Sequence, residues 1–296
     1  MSSVLTNVLP SPEGLEVVVP APDSGPGNWA GAASVVLVDG VFWLTYRVRR
    51  PPAVGRGVSV VVARSEDGVR FTHVAEVGRE GFGTESFERP VLVPLPEGGW
   101  RLYVSCATPD SKHWWVDSLT AASPADLPDG ERRVVLPGDS ELAVKDPVIL
   151  VRDGRWQMWV CCHPLDEPGH EDRMSTRHLV SADGLEWEDR GEVLAGSPGT
   201  WDARGARVTA VLEAEPLVVL YDGRADAAAN WHETTGLARW DGTRLVADPS
   251  VGPIASPHSD GAFRYGCAVP LPDGSTRFYL ESARPDGAHD LVTCLR

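Results

Sequence analysis

Ala143-Val144-Lys145-Asp146-Pro147-Val148-Ile149-Leu150 reads as an apolar strand opened by an adjacent cation and acid. Arg152-Asp153-Gly154-Arg155 turns it back into Trp156-Gln157-Met158-Trp159-Val160. An Asp-Gly pair between two such runs is a strong hairpin signal, because the tight turn needs residues at ease with left-handed backbone. Four other stretches, 35–46, 91–104, 208–221 and 268–280, carry the hairpin without the Lys-Asp opening. The five hairpins start at 35, 91, 148, 208 and 268, separations of 56, 57, 60 and 60 residues. A steady period of that length predicts a repeat architecture.

A second strand pair follows the hairpins. Residues 58–63 turn at Glu66-Asp67-Gly68 into 70–74, residues 177–181 at Ala182-Asp183-Gly184 into 186–188, and residues 235–239 at Trp240-Asp241-Gly242 into 244–246. The second unit is irregular, running from 119 through Asp129-Gly130 to 136. Four strands in each of five units predict an all-β fold, a five-bladed β-propeller of four-stranded antiparallel blades. The blades fall near 30–80, 85–138, 143–196, 202–250 and 260–296, in a single domain over 1–296. The fifth unit runs out of chain after Leu295, while Leu15-Glu16-Val17-Val18-Val19 has no blade of its own. Placing that segment (13–20) as the outer strand of blade five closes the ring and removes an exposed edge.

Composition narrows the partners. The chain has 296 residues with 30 Gly and 25 Pro, which suits many short strands joined by turns. Its net charge of −15 argues against nucleic acid and anionic membranes, since the phosphate interaction would be repulsive. No apolar run is long enough to span a bilayer. Met1 to Asn7 shows neither a basic start nor an apolar run, so no signal peptide is expected and the protein is placed in the cytoplasm. Cys106, Cys161, Cys162, Cys267 and Cys294 are odd in number and lack metal-type spacing, which predicts reduced core thiols and no metal site.

Residues just before each first strand converge at one mouth of a propeller. They include Trp29; Glu88 and Arg89; Lys145 and Asp146; Trp201, Asp202, Arg204 and Arg207; and Tyr265. Acids, arginines and tryptophans gathered there suit a small saccharide, because carboxylates supply acid, base or nucleophile and indole faces stack on sugar rings. Asp146, Glu88 and Asp202 are the catalytic candidates. Trp29, Arg89, Lys145, His163, Trp201, Arg204, Arg207, Trp231, Glu233 and Tyr265 are the substrate-binding candidates. Lys145 carries weight because the chain has only two lysines, Lys112 and Lys145, and uses arginine everywhere else. His163 precedes the charged loop 164–174, and Trp231 and Glu233 lie on a loop of the fourth unit.

With Lys145-Asp146-Pro147, the outer turns Ala63-Arg64-Ser65-Glu66-Asp67-Gly68 and Val180-Ser181-Ala182-Asp183-Gly184, and Leu220-Tyr221-Asp222-Gly223-Arg224, nearly the whole chain resembles the five-bladed propeller glycosidases. These comprise the arabinanase and xylosidase group, the invertase group and the related mannoside phosphorylases. The resemblance implies cleavage of a glycosidic bond without a cofactor, with a central calcium held through a histidine in some members, for which His258 is the counterpart. It implies that Asp146 tunes the acid and positions the sugar. The chain departs from the arabinanase pattern at two places: Ala32-Ala33 stands where an Asp-Pro supplies the base, and Arg204-Gly205-Ala206 where a Glu-Gly-Pro supplies the acid. Glu88, Asp202 and Glu233 are the available replacements. Hydrolysis is the leading reaction, with phosphorolysis and non-catalytic saccharide binding as alternatives.

Overall fold

The computed structural model describes residues 9–296; the segment on which the signal-peptide expectation rests lies outside the described residues. Strands dominate, and the helical pieces among those residues are 3-10 turns of three to six residues. Among the described residues no helix is long and apolar enough to cross a membrane.

After β1 (Glu16–Val19), the strands come in hairpin-connected runs. The first run is β2 (Trp29–Val38), β3 (Val41–Arg49), β4 (Gly57–Ser65) and β5 (Thr72–Gly78). The second is β6 (Phe87–Pro94), β7 (Trp100–Ala107), β8 (Trp114–Ala121) and β9 (Glu131–Leu136). The third is β10 (Leu142–Arg152), β11 (Arg155–Pro164), β12 (Ser175–Ser181) and β13 (Glu188–Ala195). The fourth is β14 (Gly205–Ala214), β15 (Leu217–Arg224), β16 (Thr234–Trp240) and β17 (Leu245–Ala247). The last is β18 (Phe263–Pro270), β19 (Thr276–Ala283) and β20 (His289–Leu295).

The second, third and fourth runs each form a four-stranded antiparallel sheet. The first and last runs are joined through a single parallel bridge, Trp29 to His289, and with β1 make one eight-stranded sheet. β1 pairs antiparallel with β20, Glu16 opposite Thr293, so the early segment lies beside the last strand of the chain, where its orphan status in the sequence placed it.

The outer strands begin later than the sequence pattern places them. Residues 70–74 and 186–188 read as strands, whereas β5 starts at Thr72 and β13 at Glu188. Asp67 and Asp183 extend the turns, their carboxylates accepting backbone N–H bonds from Val69 and Arg70, and from Leu185 and Glu186. Gly68 and Gly184, both at φ 72°, supply the left-handed residue that each such turn needs.

Five apolar clusters join the runs in succession. Val60 and Val62 of the first run pack on Leu102 and Leu119 of the second, and Tyr103 and Val116 on Met158 and Leu179 of the third. Trp159 packs on Val208 and Tyr221 of the fourth, and Leu220 and Leu237 on Phe278 and Leu280 of the last. Val269 and Tyr279 return to Ala33 and Leu44 of the first. Because β2, β6, β10, β14 and β18 open with mostly buried residues, the charged side chains at their starts have only one another, or a ligand, to face.

Candidate active site

In each run the first strand slips against the second near its start, at 31–34, 88–90, 145–148, 208–210 and 264–267. A bulge inserts an unpaired residue and re-aims the side chains around it. At three of the five, a residue inside the slip is left-handed: Ala32, Asp146 and Tyr265, at φ 53°, 54° and 53°. Non-glycine residues rarely adopt that conformation, and such strain concentrates at functional sites. Ala32 thus occupies in the first run the place of Asp146 in the third. The acid missing from the sequence there is missing from the site.

These starts surround a pit lined by Trp29, Glu88, Lys145, His163, Arg207, Arg224, Asn230, Trp231, Glu233, Arg264 and Tyr265. Five of them, Glu88, Lys145, His163, Asn230 and Trp231, are shared with a wider cleft of about 650 Å³ that also takes in Arg56, Lys112, Trp114 and Asp172. Both lysines of the chain therefore line one cleft. A larger cleft, about 860 Å³, runs along β11 and β12, but all of its ionisable residues are exposed and no buried charges converge on it.

The pit is walled by interlocked charges. Arg207 donates to Asp146 at 2.8 Å and to Asp222 at 2.7 Å, and its guanidinium lies 3.9 Å from the centre of the Tyr265 ring. The Tyr265 hydroxyl accepts from Arg207 at 3.1 Å and lies 3.3 Å from Glu88 Oε2 and 3.4 Å from Asp146 Oδ2. Arg47 pairs with Glu88 and, at 2.8 Å, with Glu281. Glu281 also holds Arg264 at 2.7 Å and the His289 ring at 2.9 Å. Glu233 takes Arg264 and, at 3.1 Å, Arg224. Lys145 Nζ sits 3.5 Å from Asp146 and 4.7 Å from the centre of the Trp114 ring.

These contacts set protonation. Burial alone would push the Glu88 carboxyl up, but Arg47 and Lys145 hold it at about 2. Glu233, equally buried, is kept well below the usual carboxylate range by Arg264, Arg207 and Arg224. Burial, followed by Lys145 and Arg224, pushes His163 well below its ordinary value. His163 is therefore a neutral imidazole. Its Nδ1 lies 2.9 Å from the Glu171 carbonyl and donates to it, which leaves Nε2 unprotonated. Burial, with Asp146 and Glu88 acting against Arg207, keeps Tyr265 a neutral phenol.

Eight of the residues singled out in the sequence line the pit: Glu88, Trp29, Lys145, His163, Arg207, Trp231, Glu233 and Tyr265. Asp146 is sealed beneath it and acts on it through Lys145, Arg207 and Tyr265. The other four are elsewhere. Asp202 is buried against β15, accepting from the Tyr221 hydroxyl at 2.9 Å and pairing with Thr200, so the expected Glu88–Asp202 couple does not form. Trp201 stacks on Tyr221 at 5.3 Å and fills the space over Gly223 and Gly236, where a side chain would collide with it. Arg204 pairs with Asp172 at 2.6 Å, tethering the 164–174 loop. The Arg89 guanidinium donates to the carbonyls of Ala33, Thr209 and Gly266, stapling three first strands together, and only its backbone N–H reaches Asp146.

Sequence reasoning missed Arg47, Arg49, Asp222, Arg224 and Glu281, which sit on second strands of the hairpins. Their signal was there: ionisable residues ending otherwise apolar runs, on strands buried nearly throughout. Among the described residues no group of three or more His, Cys, Asp or Glu is arranged to hold a metal. His258, the counterpart of the histidine that holds calcium in some members of the resembled group, is exposed on a turn.

No protein-family model and no curated protein matches the chain. Solved structures do. A thermostable family-43 glycoside hydrolase superposes with a TM-score of 0.72 at 16% identity, over 95% of this chain and 91% of that one. An α-L-arabinofuranosidase from Lactobacillus brevis gives 0.68 at 12%, over 94% of both. The β-1,2-mannobiose phosphorylase from Listeria innocua, solved with β-1,2-mannobiose, gives 0.63 at 16%, over 98% and 93%. The fold is thus the one these glycoside hydrolases and this phosphorylase share.

Proposed function

We propose that the chain is a single five-bladed propeller that processes a glycoside lying in the cleft of about 650 Å³ with the reacting bond over the pit, cleaving the glycosidic bond by hydrolysis. The cyclic order of the apolar clusters supports five blades, with the lone Trp29–His289 bridge as the seam between the first and last. One observation carries the functional reading: Glu88 and Glu233 converge with Lys145, His163 and the indoles of Trp29 and Trp231 on one pit. Two carboxylates beside stacking aromatics suit glycosidic chemistry, and the solved enzymes that share the fold support a saccharide ligand.

Glu88 borders both pit and cleft and is held ionised, so it serves as base or nucleophile. Glu233, ionised too, replaces Asp202 as the second carboxylate facing the developing positive charge, and the Tyr265 hydroxyl, a neutral phenol at the pit wall, gives the leaving oxygen its proton. Asp146 is a positioning residue that orients Lys145, Arg207 and Tyr265. His163, neutral and with Nε2 facing the Cys161 thiol at 3.6 Å, gives the sugar an uncharged wall. The same reading takes the protein as cytoplasmic and cofactor-free.

Phosphorolysis is the second reading, favoured by the crowding of Lys145, Arg207, Arg224 and Arg264 around the pit. Sugar release from a panel of glycosides, with and without inorganic phosphate, separates the two. Turnover that survives both Glu88→Gln and Glu233→Gln overturns the carboxylate assignment. Saccharide binding without any turnover makes the protein a binding module.

A further inference from the structure

Arg49, at the end of β3, lies behind the pit's indoles and differs from the buried arginines around it. Arg47, Arg207, Arg224 and Arg264 each hold at least one carboxylate. Arg49 is 1% exposed and, among the described residues, holds none, and its Nε and Nη1 have no hydrogen-bond partner there. Its guanidinium lies in the corner where two indoles of the pit meet edge to face, 3.9 Å from the Trp29 ring centre and 4.6 Å from that of Trp231. Trp231 is 43% exposed and left-handed at φ 78°, a strained conformation for a bulky residue, so the loop keeps this ring at the opening. Burial pushes Arg49 down to about 9, with Arg47, Arg264 and Arg56 adding to it against Glu88. An unpaired guanidinium in the interior costs stability that a buried counter-charge would recover.

We propose that Arg49 anchors a negatively charged substituent of the sugar, a carboxylate, and that the site takes an acidic glycoside. A sugar ring stacked at Trp231 would carry its substituents past the guanidinium that Trp231 covers. The planar fork of Arg49 matches a carboxylate in two parallel hydrogen bonds, which a lysine at that place would not do. The two indoles that meet over the guanidinium at 69° favour an anion attached to a ring over a free inorganic one. The inference rests on the glycoside reading for the kind of molecule bound, and not for its cleavage.

Calorimetry and thermal unfolding of the full-length protein at constant ionic strength test it, with D-glucuronate, D-glucose and inorganic phosphate as probes. Glucuronate is expected to bind about tenfold or more tighter than glucose, the gain of a charge-assisted hydrogen bond. Arg49→Met is expected to keep or raise the ligand-free melting temperature, since it removes an unpaired buried charge, and to abolish the preference. Arg49→Lys, which keeps the charge and loses the fork, is expected to weaken the preference and carries the test should Arg49→Met not fold. Equal binding of glucose and glucuronate overturns the proposal, as does a wild-type preference in either variant. Stabilisation by phosphate but not by glucuronate overturns it in favour of a free oxyanion. Turnover of neutral glycosides without a uronate preference refutes this inference alone. Uronate binding without turnover refutes only the cleavage reading.

Discussion

In the turns 65–70 and 181–186, Ser65 and Ser181 accept backbone N–H bonds from the Asp-Gly pair that follows. Asp67 and Asp183 accept those two and three residues further on. Every partner is supplied within six residues of chain. In the pit, Glu281 is held by Arg47, 234 positions away, and Glu88 by an arginine 41 positions away. Both regions keep carboxylates ionised. The turns do so with local backbone amides at the surface, and the pit with charges that meet only when distant strands close around it. A unit of the first kind can be repeated without consequence for the rest of the fold. The second kind is all or nothing, because a lost partner leaves a buried charge that water cannot reach.

That contrast can be broken or sharpened, and the largest effect falls on Glu281. Glu281→Gln removes the buried carboxylate that Arg47, Arg264 and His289 share, leaving Arg47 only Glu88 and Arg264 only Glu233, and denaturant unfolding should show a loss of about 3–5 kcal/mol. A loss no larger than that of an outer-turn variant would erase the distinction. Glu88→Gln should lower glycoside turnover by about 10²-fold or more in a sugar-release assay. Acid titration of unfolding comes next. Because Glu88 is held at about 2 when folded, its contribution is complete above the ordinary carboxylate range and disappears as pH falls towards 2. Salt should barely alter that contribution, since buried pairs are weakly screened.

Asp202→Asn separates structure from chemistry, because it disturbs the bond to Tyr221 and leaves the pit intact. A stability loss of about 1–2 kcal/mol with unchanged saccharide affinity is expected, and a lost affinity would return Asp202 to the site. Asp67→Asn should be the mildest, costing about 1 kcal/mol or less in thermal unfolding.

Much of the architecture was legible because its signals are local. Asp-Gly turns, alternating strands and a period near 58 residues are written in consecutive letters, and so was the orphan segment that pairs with β20. The pit was legible in half. Glu88, Lys145, Tyr265 and their neighbours open first strands, so position in the repeat pointed to them. Asp202, Trp201, Arg204 and Arg89 occupy equivalent stretches, yet a turn of one residue or another sends their side chains into packing, a loop tether or a strand staple. Arg47, Arg224 and Glu281 lie on second strands, where charge reads as a solvated face until burial is known.

Sequence by itself determined the all-β repeat, the turns that punctuate it and the strand starts on which charge gathers, since each follows from backbone preferences over a few residues. Only tertiary structure decided which carboxylate meets which guanidinium, why Asp146 is covered while Glu88 faces the opening, and that Arg49 is left without a counter-charge. Those outcomes depend on which side chains from distant strands share one volume from which water is excluded. A buried charge is defined by what stands opposite it, and no run of neighbouring residues records that.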